Sequence, residues 1–142
     1  MDLFRALDVS ASALAAERVR MDVISENLAN SEATASAGRG LYRRKIALLQ
    51  AADGTFPAIL DRENIPRGGV RVAEVAQTRD PARRVHQPGH PQAGPDGFVE
   101  LPNVDPLAEM LDMLAATRAY EANATAFQAT KGMAMKLLEL LR

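Results

Sequence analysis

The 142-residue sequence contains no cysteine and no tryptophan, and aromatic residues make up only 4% of it. The absence of cysteine excludes disulfides, thiolate metal ligands and cysteine nucleophiles. With few aromatic rings, a core has to be built from aliphatic side chains and alanine. No window approaches the roughly 18 apolar residues that a membrane-spanning helix needs. The first residues lack a basic stretch followed by an apolar run, so we expect no cleavable secretory signal.

Charge of neither sign is in excess. The 17 basic and 18 acidic residues give a formal net charge of −1, which provides no overall attraction to nucleic acid or to a membrane surface. The middle of the chain is nevertheless basic, whereas both ends are acidic. This distribution suits head-to-tail association between copies of the chain, and a solvated surface explains it equally well.

The sequence also lacks the residue patterns of a catalytic or metal site. His86 and His90 have the spacing of two ligands on a helix, but Pro88 lies between them and no third ligand accompanies them. The glycine-rich stretches have no lysine and serine of a phosphate loop. The basic run 43–45 has few aromatic partners for base stacking, so binding to nucleic acid is only a third hypothesis. We therefore predict no enzyme, no catalytic residue, no cofactor and no metal.

The chain does contain a long amphipathic pattern within its last forty residues, 103–142. Apolar residues recur there about every 3.6 residues, which predicts a single helix. Asp105 and Pro106 are a good N-cap and first helical residue. The helix is about three times the mean length, so its stripe needs another long helix to cover it, from the same chain or from a neighbour. The helix-packing stripe comprises Leu111, Ala115, Ala119, Ala122, Ala126, Ala129, Met133, Leu137 and Leu140.

A second long helix is predicted from residue 2 to about residue 30. Leu7, Leu14 and Met21 belong to a heptad-like apolar seam, which Arg18 and Ser25 interrupt. The simplest cover for the two stripes is to pair the helices, both within a subunit and between subunits. The asparagines after Ser25 predict a capped helix end, because asparagine tolerates left-handed backbone.

The middle of the chain predicts only short extended pieces. Residues 41–49 predict a strand or a helical turn, of which we prefer the strand, and residues 70–75 and 98–101 predict strands. The alternation within 70–75 slips near Ala73, as at a bulge. Four prolines and three glycines between 79 and 97 argue against regular structure there.

The predicted fold is therefore mainly α. Long N-terminal and C-terminal helices pair as a coiled-coil-like bundle, and a small irregular or β region connects them. We divide the chain into an N-terminal assembly helix and loop (1–37), the middle region (38–102) and a C-terminal assembly helix (103–142).

The segment 25–34 resembles the signature that closes the first helix of bacterial flagellar rod and hook proteins. The resemblance continues through 42–45, 69–75, 97–105 and 118–123. The Pro-Asn-Val-Asp stretch before the last helix and the short chain narrow the resemblance to the proximal-rod class. The motif positions that it assigns to assembly are Ser25, Asn27, Leu28, Ala29, Asn30, Thr34, Asn103, Tyr120 and Asn123.

The resemblance implies a structural subunit of a periplasmic, torque-transmitting tube in the flagellar basal body. Such a subunit is exported through the flagellar type III apparatus without cleavage and assembles with itself and with other rod subunits. It has neither a nucleic-acid partner nor a membrane span. The competing hypotheses are a different rod-class paralogue and a cytosolic coiled-coil adaptor or export chaperone, which would form a stable dimer with ordered termini.

Overall fold

The computed structural model describes residues 3–35, 40–52 and 68–140. Two long helices bracket four short strands, so the structure agrees with the predicted mainly helical class. Residue 2, the predicted boundary between 37 and 38, and residues 141 and 142 lie outside the described residues. The elements in chain order are α1 (Leu3–Ala29), β1 (Lys45–Ala51), β2 (Val70–Gln77), β3 (Arg83–His86), β4 (Phe98–Leu101) and α2 (Pro106–Leu140).

The predicted start of the C-terminal helix is confirmed. The backbone N–H of Leu107 donates to Asp105 Oδ1 at 3.0 Å, and the N–H of Glu109 donates to the Asp105 carbonyl at 3.0 Å. Pro106 occupies the first helical position, where it has no amide hydrogen to leave unpaired. The Asp-Pro pair therefore fixes where α2 begins.

The end of α1 is closed by side chains rather than by a left-handed residue. Asn30 Nδ2 donates to the Glu26 carbonyl at 2.8 Å, and Ser31 Oγ donates to the Leu28 carbonyl at 2.8 Å. No described residue other than glycine has a positive φ. The expectation of left-handed asparagine was therefore wrong, because two polar side chains satisfy the last carbonyls of the helix instead.

The two helices pack antiparallel. Asn27 contacts Glu109, and the Thr117 hydroxyl lies 3.7 Å from Met21 Sδ, so residue numbers run in opposite directions along the pair. By this register Leu3 lies opposite about residue 134, which leaves residues 135–140 beyond the start of α1.

The seam between the helices does not use the predicted stripe of α2. The buried residues of α2 are Glu109, Ala116 and Thr130, and Ala119 is the only stripe residue that is even half-buried. Within the chain, α2 therefore contacts α1 through a different face, and cover of the stripe by a neighbouring subunit, the other predicted alternative, stays a prediction. The stripe was traced through apolar residues, whereas polar residues on the true contact face are satisfied by hydrogen bonds. The exposed stripe residues are Leu111, Ala115, Ala122, Ala126, Ala129, Met133, Leu137 and Leu140.

The stripe residues of α1 are less exposed than those of α2. Leu7, Leu14 and Met21 are all half-buried, and Met21 contacts α2. The small residue Ala16 is almost fully buried on the same helix. The helices therefore pair, but residues 3–35 and 106–140 do not show a coiled-coil seam formed by both predicted stripes.

Strands β1 and β2 form an antiparallel ribbon that lies along α1. Leu48 pairs with Glu74 and Leu49 pairs with Val72, which leaves Ala73 as the extra residue of the predicted bulge. At the far end of the ribbon, a Cβ on Gly69 would meet Ser12 Oγ at 2.6 Å, so the strand approaches the helix closely there.

Strands β3 and β4 form a second antiparallel ribbon, in which Arg83 pairs with Leu101 and His86 with Phe98. The expectation of no regular structure between 79 and 97 was wrong, because a four-residue strand fits between Pro81 and Pro88 without requiring either proline to donate a ladder hydrogen bond. The most buried apolar side chains outside the helices follow at Val99, Leu101, Pro102 and Val104, where β4 leads into α2.

Candidate functional site

Among the motif positions that the resemblance assigns to assembly, Asn27 is the most deeply buried, with 1% of its surface exposed. Its Nδ2 donates to the Lys45 carbonyl at 2.8 Å and to Glu109 Oε2 at 3.1 Å. Its Oδ1 accepts from the Lys45 N–H at 2.9 Å and from the Tyr42 hydroxyl at 2.8 Å. A carboxamide has two donor hydrogens and two acceptor lone pairs, so every hydrogen-bonding position is used.

Glu109 is equally buried, and both of its carboxylate oxygens are paired. Arg44 Nε donates to Oε1 at 2.6 Å, while Asn27 reaches Oε2. Arg44 also contacts Asp112 Oδ2 at 3.5 Å. A buried carboxylate is tolerated when it is paired and hydrogen-bonded in this way. We call Asn27, Tyr42, Arg44, Lys45 and Glu109 the clasp, because they join α1, the segment that leads into the first residue of β1, and α2.

The electrostatics of the clasp keep Tyr42 neutral. Burial, followed by the negative charges of Glu26 and Glu109, raises the pKa of Tyr42 to about 12. The phenol therefore keeps the proton that it donates to Asn27. The Lys45 ammonium pairs with Glu26 and lies 5.8 Å from the centre of the Tyr42 ring.

The other motif residues lie outside the clasp. Among the described residues Ser25, Ala29 and Asn103 are exposed, and Leu28 and Thr34 are half-buried. The side chain of Asn30 caps the end of α1, as described above. Tyr120 and Asn123 are half-buried on α2, where Asn123 Nδ2 donates to the Ala119 carbonyl at 2.9 Å. The structure thus brings Asn27 together with residues that were not named as site residues.

Sequence reasoning missed the partner of the clasp on α2. Glu109 lies in the first turn of a helix, where an acidic residue is favoured by the helix dipole and needs no further explanation. Nothing in the local sequence indicates that this carboxylate is buried, because its burial follows from contacts with residues 65 and 82 positions away.

A second feature is the outer face of α2, which we define as the eight exposed stripe residues named above. It carries large apolar side chains at both ends, with Leu111 at 61% and Leu140 at 83% exposure. Near its start, Leu107, Met110 and Leu114 are also exposed and lie beside Leu111 at helical spacing. Contiguous exposed apolar surface of this kind marks a contact with another molecule.

No cluster of three or more histidine, aspartate or glutamate side chains suited to a metal ion occurs among residues 3–35, 40–52 and 68–140. His86 packs edge-on against Phe98, with ring centroids 5.0 Å apart, and His90 Nδ1 accepts from the Gln92 N–H at 3.1 Å. The clasp itself holds polar groups that are already paired with one another.

Comparison with known proteins relates this chain to flagellar proteins along almost its full length. A family model described as "Flagella basal body rod protein" matches residues 7–35, and one described as "Flagellar basal body rod FlgEFG protein C-terminal" matches residues 96–140. These segments contain the two helical members of the clasp, Asn27 and Glu109.

Curated relatives extend the similarity through the middle of the chain. The flagellar basal-body rod protein FlgC of Bacillus subtilis is 46% identical over 148 aligned positions, which cover 99% of each chain. The FlgC protein of Borreliella burgdorferi is 37% identical, over 100% of this chain and 99% of the relative. That of Salmonella typhimurium is 36% identical, over 99% and 98% respectively.

Proposed function

Since this chain belongs to the FlgC family of flagellar basal-body rod proteins, we propose that its two terminal helices build the rod by packing against neighbouring subunits. The chain is a structural subunit of the bacterial flagellar basal body and not an enzyme. Neither an adaptor or chaperone nor a nucleic-acid-binding module fits membership of this family.

The observation that carries the proposal is the uncovered outer face of α2. The helix pair already buries a different face of α2 against α1, through Ala116 and Thr130. The outer face has no cover within the described chain, although its apolar residues run from Leu111 to Leu140. Its centre consists of alanines, which allow a neighbouring helix to approach closely. A neighbouring subunit supplies the cover that the chain itself lacks.

The proposed setting is the proximal rod in the periplasm. The neighbours are further copies of this chain and other rod subunits, and the flagellar type III export apparatus delivers the chain without cleaving it. Membership of the family supports this setting. Mass spectrometry of subunits extracted from basal bodies tests the absence of cleavage, because an uncleaved subunit retains its N-terminal peptide.

Ala122→Leu tests the outer face in a strain that lacks the native protein. Ala122 is exposed in the isolated chain, so leucine leaves the fold and export of the subunit intact. In a close helix contact the added atoms overpack each site by about 1–3 kcal/mol, and every subunit of the tube repeats that cost. We expect soluble, exported protein, no rods by electron microscopy, and non-motile cells.

Glu121→Leu is the matched control. Glu121 is also exposed on α2, but it lies outside the stripe, so cells carrying this substitution should swim. Motility of the Ala122→Leu strain together with loss of motility in the Glu121→Leu strain would show that the contact uses the other side of α2.

A further inference from the structure

The far end of α2 projects beyond its partner helix. By the antiparallel register, residues 135–140 pass the start of α1, and every residue from 135 to 140 is exposed. Met135, Leu137, Leu138 and Leu140 give this short segment four large apolar side chains, and Leu138 is 64% exposed. We call residues 135–140 the tip of α2. An amphipathic helix end of this kind needs an apolar groove to cover it.

A groove of suitable character lies at the opposite end of the helix pair. It is a cavity of about 280 Å³ between α1, β1 and the start of α2. Buried Val23 and Ile24 of α1 line it, together with Ile46, Leu48 and Leu49 of β1, which are each 37–46% exposed. Clasp residues also line it, so the groove is tied to all three segments that the clasp joins.

The chain cannot place its own tip in its own groove. The groove lies near Ile24 and the clasp, whereas the tip lies past Leu3. About 20 helical residues separate these positions along α1, which corresponds to about 30 Å at 1.5 Å per residue. A groove of this kind that covers the tip therefore belongs to another molecule.

The charges beside the groove match those of the tip. Arg20 and Asp112 line the groove, and both are only loosely paired within the chain. Arg20 lies 3.7 Å from Glu17 Oε2, an oxygen with no hydrogen bond, and Asp112 lies 3.5 Å from Arg44. The tip carries one charge of each sign, Lys136 and Glu139. Two opposite-charge pairs can thus form around an apolar contact, which fixes orientation more than it adds affinity.

We propose that the tip of α2 in one copy of this chain docks in the groove of the next copy. The proposal rests on the proposed rod function and specifies one contact within it. Because the tip and the groove are different surfaces, the contact is head-to-tail. A head-to-tail contact that does not close into a ring propagates as a helical array, which is the geometry that a tube requires.

Engineered cysteines test the contact cleanly, because the chain has no native cysteine. Two differently tagged copies are co-expressed in a strain that lacks the native protein, one carrying Leu49→Cys and the other Leu138→Cys. Basal bodies are isolated and oxidised. A disulfide needs Cα atoms within about 7 Å, so docking of the tip in the groove yields a product that carries both tags. With Glu121→Cys replacing Leu138→Cys, we expect at least tenfold less of this product.

A charge swap provides a second, independent measurement. Arg20→Glu should lower the amount of subunit per basal body at least tenfold, and Glu139→Arg in the same chain should restore it. Arg20 lies outside the clasp, and the measurement is a quantitative immunoblot of isolated basal bodies.

The possible results distinguish failure of the proposed contact from failure of the proposed rod function. If both cysteine copies are incorporated without a two-tag product, or if Leu49→Cys links to a different rod protein, the proposed contact is wrong while the rod function stands. If the cysteine copies fail to enter basal bodies, the charge swap decides, and lack of restoration by Glu139→Arg overturns the contact. Absence of the native chain from basal bodies overturns the rod function itself.

Discussion

At Asn27, the carboxamide is the only uncharged group of its size that both donates twice and accepts twice. Asn27→Asp keeps the shape but removes both donors and places a carboxylate beside buried Glu109. Leaving buried groups unpaired and adding a like charge should lower the free energy of unfolding by about 3 kcal/mol. Urea denaturation of the purified subunit measures the change.

Asn30→Asp is the control for that substitution. Asn30 is half-buried, and its side chain bonds only the Glu26 carbonyl at the end of α1. A negative charge at a helix C-terminus costs about 0.3–1 kcal/mol, so the effect should be several times smaller. Equal losses for the two substitutions would mean that the clasp contributes no more than the helix end does.

Tyr42 makes the stability of the fold depend on alkaline pH. Its pKa is raised to about 12 in the folded chain, from an ordinary value of 10.0. The folded state therefore holds the phenol proton more tightly than the unfolded state does. This contribution is complete below pH 10 and is lost as the pH rises from 10 to about 12. In Tyr42→Phe, the free energy of unfolding should fall less steeply across that window, as measured by urea denaturation at a series of pH values.

The same substitution has a separate effect at neutral pH. Phenylalanine removes one of the two hydrogen bonds to Asn27 Oδ1 but leaves the one from the Lys45 N–H. The expected loss is about 1 kcal/mol. If stability between pH 10 and 12 falls identically with and without the hydroxyl, Tyr42 does not titrate with a raised pKa.

At this scale the sequence identifies only one of the five clasp residues as a site residue. The resemblance identifies Asn27 as a motif position, and physical reasoning alone would assign it to a helix cap. Glu109, which accepts a hydrogen bond from Asn27, and Arg44, which pairs with Glu109, are ordinary polar residues in the sequence. They become recognisable only once the antiparallel register of the helices is known, and no local pattern encodes that register.

At two glycines, one before β2 and one within α2, substitution by alanine should change the free energy of unfolding in opposite directions. Gly69 precedes β2 with φ of +112°, and a Cβ there would lie 2.6 Å from Ser12 Oγ. Gly69→Ala should therefore lower the free energy of unfolding by about 1–3 kcal/mol, because it adds backbone strain and a steric clash. Thermal denaturation followed by circular dichroism measures the loss.

Gly132→Ala is the counterpart within α2. Apart from its chain neighbours and the backbone of its own helix, no heavy atom lies within 4 Å of the position that its Cβ would take. Alanine in a helix interior is favoured over glycine by about 1 kcal/mol, so the free subunit should become more stable. A loss of stability in Gly132→Ala would indicate a close contact on that side of α2 in the free subunit.

Capping and apolar periodicity, which are local in sequence, predict most of the elements, and the errors arise where contacts distant in sequence decide the structure. Capping by Asp105 and the repeat of apolar residues place α2 correctly, and the slip near Ala73 places the bulge. Strand β3 was missed because its hydrogen bonds come from β4, while the surrounding prolines dominate the local pattern. The contact face of α2 was missed because an alanine-rich helix is apolar on more than one side, and tertiary packing decides which side is buried.

For the whole subunit, we expect the ends of the helix pair to be only partly helical in dilute solution. Residues 135–140 have no partner helix in the described chain, and an uncovered apolar face contributes little stability to a helix. Hydrogen exchange should be fast at both helix ends in the free subunit and at least tenfold slower in isolated basal bodies, where neighbours cover them. Amides near Ala116 should be protected in both states.

Circular dichroism of the free subunit can contradict this expectation. The complete helices α1 and α2 contain 27 and 35 residues respectively. If a proven monomer shows the helical content of both complete helices, its ends do not depend on neighbours for order.

The speed of folding follows from where these contacts lie along the chain. Asn27 and Glu109 are 82 residues apart, and Met21 and Thr117 are 96 apart, in a chain of 142. Loop-closure entropy is lost before such contacts form, and folding slows as the mean sequence separation of contacts grows. The first helix therefore cannot pack against α2 or complete the clasp until the last third of the chain is present. A chain delivered from one end completes its fold only after nearly all of it has emerged.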